Sequence, residues 1–156
     1  MAHEARVHTP LGRIGLHTDG HRLTGIDWLA DGPEWWPDHG VAREAAEALL
    51  AWFRQPGAAL PELPLAPAPT AFQAEVRAAM LAIPPGHTRT YGDVAADLGS
   101  SPRAVGGACR ANRLPIVVPC HRIVARSGPG GYNGDWERGA VQSHKLRLLA
   151  LERATH

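Results

Sequence analysis

Cys120 and His121 are adjacent in the run Pro115-Ile116-Val117-Val118-Pro119-Cys120-His121-Arg122-Ile123-Val124. A thiolate is the reactive form of cysteine, and a neighbouring base or cation favours it, so this pair could supply a nucleophile and its activating group. The β-branched residues around it predict a buried strand interrupted at Pro119, because proline has no N–H to give a ladder. The decapeptide alone leaves a second reading open, since a free cysteine also packs like a small hydrophobe. Glu152 sits near the C-terminal end of the last apolar helix, where the helix dipole disfavours a carboxylate. Such a group either finds a cationic or imidazole partner or is simply solvated.

Positioning these side chains falls to several elements that the sequence marks out. Thr70 is a predicted N-cap for a helix through Phe72, Val76, Met80 and Leu81, which Pro84-Pro85-Gly86 stops. Thr90 caps a shorter helix from Tyr91 to Leu98, closed by Gly99. Ser101 is a further N-cap with Pro102 at the first helical position, and opens a helix that reaches Asn112. Two short helices joined by a tight polar turn fit a helix-turn-helix, a pattern that many helix pairs binding nothing also share. The second of them is rich in small residues (Ala104, Gly106, Gly107, Ala108, Ala111) between Arg103 and Arg110. Two adjacent glycines cost a helix about 1 kcal/mol each against Ala, so something approaches this backbone closely: another helix, or a narrow nucleic-acid groove. A final helix runs from Ala140 to Arg153.

The first half reads differently. Residues 6–29 alternate as β structure, with Asp19-Gly20 as a tight-turn signal, and residues 41–53 form a strongly alanine-rich helix. Five prolines between 56 and 69 predict an extended, semi-rigid connection. The domain boundary falls there, giving domains 1–69 and 70–156.

The chain has 156 residues, of which 44% are hydrophobic, enough for a packed core and too many for a disordered chain. Its N-terminus has no signal-peptide pattern and no run approaches membrane-spanning length, so no membrane association is expected. Two cysteines, Cys109 and Cys120, make no disulfide scaffold and no zinc-type CxxC pair, and a reducing, cytoplasmic compartment fits them. The nine histidines are scattered along the chain, so neither a metal site nor a cofactor is expected. Net charge is +1 overall, but residues 1–69 carry five Arg and nine carboxylates while residues 70–156 carry eleven Lys/Arg and six carboxylates. An acidic half joined to a basic half fits a second half that meets a polyanion.

Assembled, these residues resemble the O6-alkylguanine-DNA alkyltransferases, also called methylated-DNA–protein-cysteine methyltransferases. The resemblance covers the basic half from about Thr70 to Glu152. It rests on Thr90-Tyr91-Gly92, Arg103-Ala-Val-Gly-Gly-Ala108, Asn112, Pro119-Cys120-His121-Arg122 and the closing Leu-Leu-Ala-Leu-Glu152. Thr9-Pro10-Leu11-Gly12 and the strands after it carry a weaker resemblance to the family's N-terminal domain.

The resemblance implies a fold: an α/β, ribonuclease H-like N-terminal domain, then a mainly α, winged helix-turn-helix-like domain carrying the cysteine. It also implies a single-turnover repair protein, monomeric, that acts on double-stranded DNA containing O6-alkylguanine, with O4-alkylthymine the further candidate. Cys120 would accept the alkyl group. His121 would take the thiol proton through water and be oriented by Glu152, Asn112 would be the hinge amide, and Tyr91 would protonate the leaving guanine. The DNA-facing set would be Thr90, Arg103, Ala104, Gly106, Gly107, Ala108 and Arg110, entering the minor groove with Arg103 replacing a flipped base. Tyr91, Val118, Pro119, Tyr132 and Asn133 would line the pocket.

Three features depart from the family pattern. The turn between the two short helices is about two residues tighter. Cys109 stands on the recognition helix and is read as a packing residue. The loop Tyr132-Asn133-Gly134-Asp135-Trp136-Glu137 is less glycine-rich, with Trp136 read as packing. Alternatives from other classes fit less well. A lesion-sensing relative without chemistry would lack the cysteine, a helix-turn-helix transcription factor has no need of Pro-Cys-His-Arg, and a Cys-His hydrolase shows no oxyanion-hole signature.

Overall fold

The computed structural model describes residues 3–126 and 140–155. Its internal contacts divide the chain into two compact units, residues 1–66 and 67–156.

The first unit is a three-stranded antiparallel sheet and one helix. Strands β1 (Ala5–Thr9), β2 (Gly12–Thr18) and β3 (Leu23–Leu29) pair in sequence order. The β1–β2 turn closes at Gly12, whose φ of 129° suits glycine and few other residues. Ala5, Val7, Ile14, Leu16 and Ile26 are all buried. Helix α1 (Val41–Arg54) supplies Ala45, Leu49 and Trp52 to the same core. The proline-rich stretch is extended, yet part of it belongs to this unit. The Leu23 N–H donates to Pro64 O at 2.8 Å and the Ala66 N–H to Leu23 O at 2.9 Å. A segment rich in prolines can still pair along an edge through the donors it keeps.

The second unit is mainly helical. Helix α2 (Ala71–Leu81) starts where the Thr70 hydroxyl accepts the Gln73 N–H at 3.1 Å. The two-residue strand β4 (Arg89–Thr90) leads directly into α3 (Tyr91–Leu98). There Thr90 and Asp93 form a reciprocal capping box, and Gly99 ends the helix in the left-handed region. Helix α4 (Pro102–Arg110) begins with the Ser101 hydroxyl accepting the Ala104 N–H at 3.1 Å. A 3₁₀ turn (Cys120–Arg122) follows, then β5 (Ile123–Val124), parallel to β4, and α5 (Ala140–Thr155). Val76, Met80, Ile83, Val94, Val105, Leu114, Ile116, Ile123 and Leu148 fill the core. No helix among the described residues is long and apolar enough to cross a membrane.

One local expectation is corrected. Residues 115–118 are turns, and the strand is only Ile123–Val124. The Val117 N–H donates to Pro115 O at 2.9 Å and the Val118 N–H to Leu114 O at 2.8 Å, which folds the segment on itself. Prolines at both ends withhold the donors that a ladder would need. Ile116 at the apex has φ 74°, the one positive φ outside glycine among the described residues. A β-branched residue there is strained by about 1–3 kcal/mol. Burial of its side chain, 2% exposed, offsets that cost.

Candidate active site

The strained turn is tied to the end of α4 by Asn112. Its side-chain NH₂ donates to Val118 O at 2.9 Å, while its Oδ1 accepts the Leu114 N–H at 3.0 Å. One amide therefore fixes both ends of the loop that delivers Cys120. Cys120 is buried, and its own N–H donates to Val118 O at 2.8 Å. Burial pushes its thiol above the ordinary cysteine range, while a hydrogen bond from Asn112 and the positive charge of Lys145 act in the opposite direction.

The next two residues share one carboxylate. His121 and Glu152 are both fully buried, with His121 Nε2 2.9 Å from Glu152 Oε1. Arg122 donates from Nε to both Glu152 oxygens at 3.1 and 3.2 Å, and from a second nitrogen to Oε2. Its remaining terminal nitrogen donates to Ile83 O at 2.9 Å, which anchors the cluster to the residues just after α2. Burial alone would raise the Glu152 pKa, but hydrogen bonds from His121 and Arg122 prevail and hold it at about 2. Burial pushes the His121 pKa down against the pull of Glu152, so its ring is neutral. The carboxylate near the end of α5 is thus partnered rather than solvated, and by an imidazole and a cation together.

Lys145 is the residue that sequence reasoning missed. Its side chain is fully buried, and Nζ donates to Ile123 O at 2.7 Å and to the Tyr91 hydroxyl at 3.3 Å. Nζ also lies 5.5 Å from the centre of the Tyr91 ring. Burial depresses its pKa to about 8, with the Cys120 and Cys109 sulfurs acting in the opposite direction. Tyr91 is pushed above the ordinary tyrosine range, first by burial and then by the two sulfurs, so it keeps its proton. Cys109 is buried and raised to about 12, chiefly by burial, which leaves it an inert thiol. A signal for Lys145 was present: Lys145, Leu148, Leu149 and Glu152 recur at i, i+3, i+4 and i+7, one buried stripe of α5. A lysine inside an apolar stripe needs a reason to be there.

Helix α4 divides its small residues between two faces. Arg103, Ala104 and Arg110 are exposed, and Gly107 is half-buried beside them. Gly106 and Ala108 are buried with Val105 and Cys109 on the inner side. The outward set is therefore narrower than the full run, because a period of 3.6 residues cannot put five consecutive positions on one face. A Cβ on Gly107 would find only the Arg110 guanidinium, at 3.8 Å, so the outer face there is open. Thr90 is half-buried and committed to the α3 cap, and Val118 and Pro119 are buried in the turn. Tyr132 and Asn133, with the rest of their loop, lie outside the described residues.

A helical unit with a buried thiol, a histidine–carboxylate pair and an exposed, arginine-flanked helix face defines a class: a domain that combines cysteine chemistry with a cationic surface. Comparison with known proteins gives that class a family. Residues 71–154 match the family described as "6-O-methylguanine DNA methyltransferase, DNA binding domain". The methylated-DNA–protein-cysteine methyltransferase of Mycobacterium leprae is 36% identical over 98% of this chain and 93% of its own. A crystal structure of the Mycobacterium tuberculosis O6-methylguanine methyltransferase superposes with a TM-score of 0.80 at 34% identity, covering 100% of this chain and 95% of that one. A Mycobacterium tuberculosis structure described as in complex with DNA gives 0.78 at 34% identity, over 96% and 92% of the two chains. The chain belongs to the methylated-DNA–protein-cysteine methyltransferase family.

Proposed function

We propose that this protein repairs double-stranded DNA by direct reversal, moving the alkyl group of O6-alkylguanine onto Cys120. The observation that carries the reading is the buried Cys120-His121-Glu152 arrangement on a unit whose exposed α4 face is arginine-flanked. The Cys120 sulfur forms a bond to the alkyl carbon as the bond from that carbon to guanine O6 breaks. The thiol proton passes to neutral His121 through water, and the Glu152 carboxylate stabilises the imidazolium that results. Lys145 stabilises the thiolate electrostatically, and the protonated Tyr91 hydroxyl supplies the proton that the departing guanine ring takes up. A thioether has no ready leaving group, so each chain reacts once.

Arg103, Ala104, Gly107 and Arg110 form the surface that enters the minor groove, and Arg103 fills the space left by a flipped base. Thr90 supports that surface through the α3 cap, and buried Gly106 and Ala108 let α4 seat closely on its own unit. Val118 and Pro119 form one wall of the alkyl pocket; the further pocket residues Tyr132 and Asn133 lie outside the described residues. The first unit is read as ribonuclease H-like and the α3–α4 pair as a helix-turn-helix of the winged kind. Two free cysteines, one of them the acceptor, suit a reducing cytoplasmic compartment.

The test is a mass measurement. Incubation with duplex DNA containing O6-methylguanine adds one methyl group per chain, at Cys120, and then stops. An unmodified Cys120 or repeated turnover overturns the reading. Arg103→Ala slows repair of duplex DNA more than reaction with the free base, and equal losses on both contradict its role.

A further inference from the structure

The outer face of the first unit's sheet carries a cluster that takes no part in the alkyl chemistry. Side chains alternate across a strand, so His17 and Asp27 point away from the face that buries Leu16 and Ile26. His17 Nε2 lies 2.7 Å and His3 Nε2 3.0 Å from the same oxygen, Oδ2 of Asp27. The two rings lie side by side, their centroids 4.4 Å apart. Asp27 Oδ2 is the one polar contact of the His3 ring among the described residues, since its Nδ1 is buried without a hydrogen-bond partner.

We propose that His3, His17 and Asp27 form a zinc site. The donor set, two imidazole nitrogens and one carboxylate oxygen, is one that zinc takes in tetrahedral coordination, with solvent as the fourth ligand. Zinc bonds of about 2.0–2.1 Å put tetrahedral ligand atoms roughly 3.3 Å apart. The three donor atoms here lie within 4.8 Å of one another, so only small movements bring them to that spacing. Each imidazole binds as the neutral ring through Nε2, with its proton on Nδ1.

Two features of the surroundings support the assignment. Glu4 Oε2 lies 4.0 Å from His17 Nδ1, where a short closure provides the outer carboxylate that orients a ligating histidine. That carboxylate is already fixed, because it accepts the Thr18 N–H at 3.1 Å. Gly15 pairs directly with Asp27 across β2 and β3 and is bare. A Cβ built there would fall 2.4 Å from the His3 ring, so this glycine is what allows His3 to lie over the sheet. Positions 3, 15, 17 and 27 form no metal motif in sequence, and antiparallel pairing alone brings them together.

Tag-free, metal-stripped full-length protein titrated with zinc chloride against a chromophoric zinc chelator tests the site. The expected result is one zinc per chain at micromolar affinity or tighter, accompanied by a rise in Tm. His17→Gln and Asp27→Asn remove a ligand each and weaken binding by at least ~100-fold, whereas Glu4→Gln, one shell further out, costs about 10–100-fold. Gly15→Ala, which removes no donor, also weakens binding by displacing His3. Cys120→Ser leaves affinity unchanged, which separates this site from the acceptor thiol. Zinc binding that survives both His17→Gln and Asp27→Asn in folded protein, or no binding at tens of micromolar zinc, overturns the proposal.

Discussion

Replacing Glu152 with Gln tests the buried cluster most sharply. The substitution keeps the shape of the side chain and removes its charge. Arg122, 8% exposed, then keeps a guanidinium among apolar neighbours with no carboxylate to face, and His121 loses its ionic partner. The magnitude follows from the proton equilibrium. Glu152 titrates at about 2 in the folded protein against an ordinary 4.5. That difference corresponds to about 3 kcal/mol of stability at neutral pH. Breaking one side of a buried ion pair costs about 3–5 kcal/mol, which agrees in size. The assay is urea unfolding: a loss of about 3 kcal/mol lowers the midpoint by roughly 1.5 M at an m value near 2 kcal/mol per M.

The pH dependence gives a second readout with a fixed sign. The folded pKa lies below the ordinary one, so the contribution is complete above pH 4.5 and is lost as pH falls towards 2. Wild-type protein loses stability across that window, and Glu152→Gln lacks this part of the acid limb. A loss below ~1 kcal/mol, or identical acid limbs in the two proteins, refutes the argument, because the carboxylate would then be worth no more than an exposed surface pair.

Three further outcomes follow from the same geometry. Lys145→Met removes the cation beside the thiol, so methyl transfer slows in single-turnover kinetics. The Lys145 contribution to stability rises between about pH 8 and the ordinary lysine value of 10.5, where only the unfolded chain still holds that proton. Wild-type stability minus that of the variant therefore rises across this window, while the opposing fall from the buried thiols is common to both proteins. Asn112→Ala deletes both bonds that pin the cysteine turn and costs about 2–3 kcal/mol in urea, with transfer lost faster than fold. Gly107→Leu is neutral or mildly stabilising, since the site is open and glycine weakens a helix by up to about 1 kcal/mol, yet it lowers duplex affinity in a fluorescence titration.

Much of the second unit is legible without coordinates, because its boundaries are set by short-range bonds. The Thr90–Asp93 box, Gly99 in the left-handed region, and Ser101 followed by Pro102 each satisfy backbone groups within four residues. Pro119-Cys120-His121-Arg122 likewise announces a thiol in unusual company whatever surrounds it.

What the tertiary structure decided concerns distant partners. Lys145 is unremarkable in sequence and becomes a buried cation only because the backbone carbonyl of Ile123 and the Tyr91 hydroxyl meet it. Arg122 holds Glu152 together with His121, a three-residue cluster where the family resemblance implied only the His121–Glu152 pair. The Pro115–Val118 segment looked like a strand because β-branched residues favour one. Its hydrogen bonds, however, go to Pro115, Leu114 and the Asn112 amide, which only a turn around Ile116 permits. His3, His17 and Asp27 seemed scattered and converge through strand register. Propensity and capping act over a few residues and can be read from the chain in order. Burial and ionisation depend on what the whole fold brings within a few ångströms, and only the folded chain sets them.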